Sequence, residues 1–211
     1  MLKGINIRSR YNDTVTQSYI ETVQISDIPW HRLTTAYGRA TDFPGELDAL
    51  WAMESIDAVD EAGKEIALNI EHQSTLWHST PFALIFLFRT FKKAVEEQRH
   101  NEVARYLAEA LVEFFIVIAE SIRDSLVLEH ADPLPKFVDM LDEEYLWSEE
   151  YDEDEDMIRY EEDEVFPDDL FFSFYYYSLQ VLLLGRPLLD KNNEQEAELL
   201  ELLIEIEHSN I

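Results

Sequence analysis

Apolar side chains recur at three- and four-residue spacing through most of this chain, and that rhythm is the tightest constraint on its fold. In "HNEVARYLAEALVEFFIVIAESIRDSLVLEH", Val103, Leu107, Ala110, Leu111, Phe114, Phe115 and Ile118 track a period of 3.6 residues, the signature of a helix with one buried face. The residues at each break mark where such helices start and stop. Asp27 precedes "IPWHRLTTAYG", with Pro29 suited to a first turn and Gly38 to a stop. Asp42 is placed to cap "FPGELDALWAMES", where Leu47, Leu50 and Trp51 fall at helical spacing. Ile56, Val59, Ile66 and Ile70 line one face of "SIDAVDEAGKEIALNI", weakened in its middle by Gly63.

Thr80 and Pro81 read as the N-cap and first helical residue of "PFALIFLFRTFKKAVEEQ". Its first half is apolar nearly all round, which places it at the centre of the fold. Asp132 suits the start of a helix at Pro133, giving "PLPKFVDMLDEEYLW". Two more follow: "DDLFFSFYYYSLQVLLLG", broken at Gly185-Arg186-Pro187, and "NNEQEAELLELLIEIEHS", with Leu199, Leu203 and Ile206 on one side and glutamates on the other. In the aromatic run 171–178, Phe171, Phe174 and Tyr175 are expected to face the core, and Phe172 and Tyr176 to face outward. The expected architecture is all-α: a single helical domain over residues 27–211 with about seven helices in antiparallel pairs. Residues 1–26 form an extension, in which a short hairpin around Asn12-Asp13 and an early helix are both open.

Charge is the second constraint. The chain carries 45 acidic against 16 basic residues, a net charge of −29. Self-repulsion at this level destabilises a compact state, and it disfavours bare nucleic acid and anionic membrane faces as partners. A basic protein, by contrast, would be steered in. The excess is concentrated: residues 142–169 hold 16 acids and one base, Arg159, about half the net charge in 28 positions. A run of like charge reads first as a solvated loop. Here, however, Tyr145, Trp147, Tyr151, Met157, Ile158, Tyr160 and Phe166 are interleaved with the acids. Apolar anchors ringed by carboxylates also describe a surface that clasps a cationic groove. On that reading the partner contacts are Glu149, Glu150, Tyr151, Asp152, Glu153, Asp154, Glu155, Asp156, Tyr160, Glu161, Glu162, Asp163, Glu164 and Asp168.

Catalytic motifs are sparse. There is no cysteine, so thiolate metal sites, cysteine nucleophiles and disulfides are excluded. Five scattered glycines build no phosphate loop, and no Gly-x-Ser-x-Gly elbow frames a serine. His72 and His78, with Glu71, offer an imidazole pair for a divalent metal, but not at the spacing of a His-Glu-x-x-His helix. The competing reading makes them a corner between helices, with His72 and Gln73 on free carbonyls and Ser74, Thr75, Ser79 and Thr80 as caps. Calcium would find oxygen donors in the acidic stretch, but not the glycine or spacing of an EF-hand loop. The expectation is a binding protein without catalytic residues, metal or cofactor. The apolar runs "FALIFLF" and "FFIVIA" are too short to span a bilayer, and the first residues lack a signal core, so a cytoplasmic location is expected.

Residues 28–90 carry an ordered set: Trp30, Leu33, Tyr37, Gly38, Ala40, Pro44, Leu47, Leu50, then His72, Gln73, Thr75, Thr80 and Ala83. This resembles the opening of bacterial HEAT-like helical-repeat proteins, with their Tyr-Gly-x-Ala element and His-Gln-x-Thr corner. The likeness covers under a third of the chain, and Phe82 and Phe86 are bulkier than the small residues of such repeats. It implies a HEAT-like interaction scaffold, and some proteins of this kind act as immunity partners of secreted toxins. The expected function is therefore an immunity protein (antitoxin) that neutralises a basic toxin domain acting on nucleic acid. Alternatives are a scaffold or adaptor with a solubilising acidic loop, and a metal-dependent enzyme using His72 and His78.

Overall fold

The longest periodic stretch folds as the longest helix. In the computed structural model, which describes residues 14–154, 156 and 166–208, it runs from Glu102 to Ser125. Asn101 caps it, its Oδ1 accepting from the amides of Val103 at 3.0 Å and Ala104 at 3.2 Å. Seven α-helices occur among the described residues: α1 Thr14–Thr22, α2 Phe43–Ala52, α3 Ile56–Ile70, α4 Thr80–Glu97, α5 Glu102–Ser125, α6 Asp168–Gly185 and α7 Glu194–His208. Two short antiparallel hairpins join them. β1 (Thr34–Thr35) pairs with β2 (Gly38–Arg39), and β3 (Glu71–His72) pairs with β4 (Thr75–Leu76). The fold is all-α, with the hairpins serving as connectors.

Helix α4 is the hub. Its residues from Thr80 to Phe88 are all buried, as expected of a helix apolar on every side. It packs against α2, α5 and α6, while α5 also meets α3, α6 and α7. Leu199, Leu202, Leu203 and Ile206 of α7 close the outer side of the core. Part of the N-terminal extension belongs to this body. Helix α1 buries Thr16 and Ile20, and Arg89 of α4 donates to the carbonyls of Ile20 in its last turn and Val23 just beyond its end, 2.7 Å each. A guanidinium on orphan carbonyls at a helix C-terminus satisfies them and complements the dipole. The hairpin considered around Asn12-Asp13 lies outside the described residues.

Three expectations need correction. "IPWHRLTTAYG" is not a helix but two 3₁₀ turns, Ile25–Asp27 and Trp30–Arg32, followed by β1 and β2. Its backbone is used by distant partners instead: Ala36 donates to the Asn69 carbonyl at 2.9 Å, and Thr34 accepts from the Ser79 amide at 3.2 Å. Gly38 adopts φ +137°, which no helix accepts. "PLPKFVDMLDEEYLW" forms only the 3₁₀ turn Phe137–Leu141. The Leu134 amide and carbonyl before it are taken by Ser173 Oγ and Tyr177 OH of α6, at 2.8 and 2.7 Å. In the aromatic run, Phe172 is buried under His130 at a ring separation of 3.6 Å, whereas Phe171 is 38% exposed.

The connection from α3 to α4 is the β3–β4 hairpin. Gln73 and Ser74 take left-handed conformations, φ 53° and 63°, as a two-residue hairpin loop requires. Glu71 Oε1 accepts from the Ser74 amide at 2.8 Å. Thr80 Oγ1 accepts from the Trp77 amide at 2.9 Å and donates to the Ile70 carbonyl at 2.5 Å, tying the start of α4 to the end of α3.

Candidate functional site

The acidic segment leaves the 3₁₀ turn at Leu141 and runs back across the N-terminal turns. Its apolar members make that possible: Leu146 and Trp147 are buried, and they place the carboxylates on either side against the few cations of residues 31–39. Trp147 donates its amide to the Arg32 carbonyl at 3.1 Å and accepts from Arg32 Nε in return. The other guanidinium nitrogens of Arg32 grip Glu143 in fork geometry, at 3.0 and 2.6 Å. This contact pushes the Arg32 pKa up and holds the Glu143 carboxyl below its ordinary range. Glu149 meets His31 Nε2 at 3.0 Å and lies 3.6 Å from Arg32.

Arg39, at the end of β2, is the keystone. A guanidinium offers five N–H donors, and Arg39 has five acceptors. They are Asp156 Oδ2 (2.8 Å) and Oδ1 (2.7 Å), the carbonyls of His31 (3.0 Å) and Ser148 (2.7 Å), and Ser148 Oγ (3.1 Å). The rings of Trp147 and Tyr151 lie 5.3 and 5.4 Å from its central carbon, within cation–π range. Burial is near complete, with 4% of the Arg39 side chain and 6% of the Asp156 side chain exposed. A buried charge needs this degree of pairing and hydrogen bonding.

The sequence-predicted contact residues therefore separate into groups. Asp156 is occupied inside the molecule, with both oxygens on Arg39, so its carboxylate is withdrawn from the outer surface. Glu149 is exposed but engaged by His31 and Arg32. Glu150, Tyr151, Asp152, Glu153 and Asp154 are exposed along one short path, and Asp168 is exposed at the first turn of α6. Asp152 shapes that path: its Oδ1 accepts from the Asp154 amide at 3.0 Å and its carbonyl from the Asp156 amide at 2.9 Å. Glu155, Tyr160, Glu161, Glu162, Asp163 and Glu164 lie outside the described residues. The field of the carboxylates is felt at Tyr145, whose phenol is pushed up by burial and then by Asp169, Glu144, Asp142 and Asp139.

Sequence reasoning missed the cations, His31, Arg32 and Arg39, and with them Glu143 and Ser148. A signal was present. In a chain this acidic, residues 31–39 contain two arginines and a histidine and no acid.

The imidazoles of the metal alternative have other occupations. His78 is fully buried, stacked on Phe174 at 5.2 Å, with Nε2 on the Met140 carbonyl at 2.8 Å. His72 Nδ1 lies 3.3 Å from Tyr37 OH in an edge-on ring contact. Among the described residues no group of three or more His, Asp or Glu side chains is placed to hold a metal ion. Nor is any helix among them long and apolar enough to cross a membrane. Comparison with family models, curated proteins and solved structures finds no match for this chain.

Proposed function

We propose that this chain acts by binding rather than catalysis, as an immunity protein that holds a basic, nucleic-acid-targeting bacterial toxin domain inactive in the cytoplasm of the cell that makes it. The observation that carries this reading is the mounting of Glu150–Asp154. Five exposed residues, four of them acidic, are held between the Arg32 clasp on one side and the Arg39–Asp156 pair on the other. Carboxylates fixed in this way lose less conformational freedom on meeting a cationic groove than those of a free loop. They also attract a basic partner over the Debye length. The aromatic face of Tyr151, 67% exposed beside them, supplies an amphipathic anchor.

The scaffold or adaptor reading draws on the same clasp, because Glu143, Glu149 and Asp156 already have partners within the chain. Co-purification from the native cell, followed by a triple variant Asp152→Asn, Glu153→Gln, Asp154→Asn, separates the two. An immunity protein retains a basic partner, and the variant captures it about tenfold more slowly at low salt, with a flatter salt dependence. Capture with unchanged rate and salt slope would reject this surface.

A further inference from the structure

A groove of about 680 Å³ opens where hairpin β3–β4, the end of α5 and the start of α6 converge, a volume within the range of ligand sites. Its floor is aromatic. Phe171 and Tyr175 meet edge to face at 5.5 Å, and Phe172 carries the stacked His130 ring beside them. Its rim is acidic, with Asp124, Glu129 and Asp168, and no lysine or arginine lines it. Asp124 is shared with its neighbour Arg123, at 3.1 Å. Among the described residues Glu129 and Asp168 have no cationic partner.

The start of α6 would ordinarily favour an anion. Here the first turn bears Asp168 and Asp169, so the helix dipole is already met by the chain's own charge. Apolar exposure continues outward through Val127 and Leu128, 81% and 67% exposed. An aromatic floor under unpaired carboxylates excludes anions and gives little to a purely apolar ligand. It suits a planar cation that stacks through its face and donates in the plane, which is the chemistry of a guanidinium.

We infer that this groove receives an arginine side chain presented by a basic protein partner, stacked on Phe171 and paired with Asp168 and Glu129. The source of the arginine rests on the function proposed above; the guanidinium chemistry does not.

The probe is Nα-acetyl-L-arginine amide, titrated into the full chain at 150 mM NaCl and followed by amide NMR shifts. Saturable shifts are expected at Thr75, Ser125 and Phe171. Affinity should fall about tenfold in Phe171→Ala and in Asp168→Asn/Glu129→Gln. Binding of Nα-acetyl-norvaline amide that is equally tight overturns the inference, because the cation then contributes nothing. Shifts that grow linearly and are largest at Glu150–Asp154 overturn it also, because they report diffuse attraction. Unchanged melting temperatures in the variants show that any loss is local. If the groove fails while the Asp152–Asp154 variant still slows partner capture, the proposed function stands without it. Saturable arginine binding with no basic partner retained would leave the groove and remove the toxin.

Discussion

Arg39 and Asp156 stand 117 residues apart in sequence and form a two-point ion pair at 2.7 and 2.8 Å, sealed from solvent. Removing one member leaves the other buried and uncompensated, a change that costs about 3–5 kcal/mol. Arg39→Met is therefore expected to lower the free energy of unfolding in urea by about 3 kcal/mol. The double variant Arg39→Met/Asp156→Leu should recover the part of that loss that comes from the stranded carboxylate, while the part that comes from the His31 and Ser148 carbonyls, which lose the same donor in both variants, remains. A double variant as unstable as Arg39→Met alone would show that the pair is not the source of the cost. The pair also locates the acidic path, so Arg39→Met should slow capture of a basic partner even at temperatures where the protein stays folded.

Gly185 closes α6 against the ring of Phe88. A Cβ there would lie 1.7 Å from Phe88 Cε1 and 2.2 Å from Cζ. The ring cannot swing aside freely, since it stacks on Phe115 at 4.4 Å and meets Phe91 edge-on at 6.0 Å. Gly185→Ala gains helix propensity of about 1 kcal/mol, but overpacking a core costs about 1–3 kcal/mol. The expected sign is destabilising, by up to about 2 kcal/mol after that gain. In the background of Phe88→Leu, which vacates the ring, Gly185→Ala should become neutral or stabilising. Thermal melts of the four proteins in that cycle check both statements.

The all-α fold was legible because its helices bury one face or all faces, and both patterns survive in the order of residues. Val59, Ile66 and Ile70 on α3 and Leu199, Leu203 and Ile206 on α7 are buried as their spacing indicates. Legibility failed where backbone groups bond to distant partners. Nothing local in "LTTAYG" reveals that Thr34 and Ala36 will bond to Ser79 and Asn69. The phase of the aromatic run was equally hidden, since α6 is covered on nearly every side and its spacing carries no preferred face. At the acidic segment, charge and aromatic content marked the place, but not its attachment. A carboxylate that closes on Arg39 reads in sequence like one that faces water, and so Asp156 was grouped with Asp154.

His78 makes the fold sensitive to acid. Burial holds its pKa down, from 6.5 to about 4, against the opposing effect of the Met140 carbonyl. An imidazole that stays neutral in the folded state and protonates in the unfolded chain stabilises the fold fully above the unfolded value. Between pH 6.5 and about 4 the unfolded chain binds the extra proton, so stability falls as the pH falls. The loss is about 2 kcal/mol by pH 5 and approaches roughly 3 kcal/mol near pH 4. The 45 acidic residues act in the opposite direction over part of this range, because protonating crowded carboxylates relieves repulsion in the compact state. The raw pH curve is therefore composite, and the informative quantity is the difference from His78→Leu, which retains the carboxylates and lacks the imidazole. Unfolding free energies measured in urea at pH 7.5 and pH 5 should fall by about 2 kcal/mol more in the parent protein than in the variant. Equal falls would mean that His78 takes up its proton inside the fold, and its position between Phe174 and the Met140 carbonyl would not impose the neutral form.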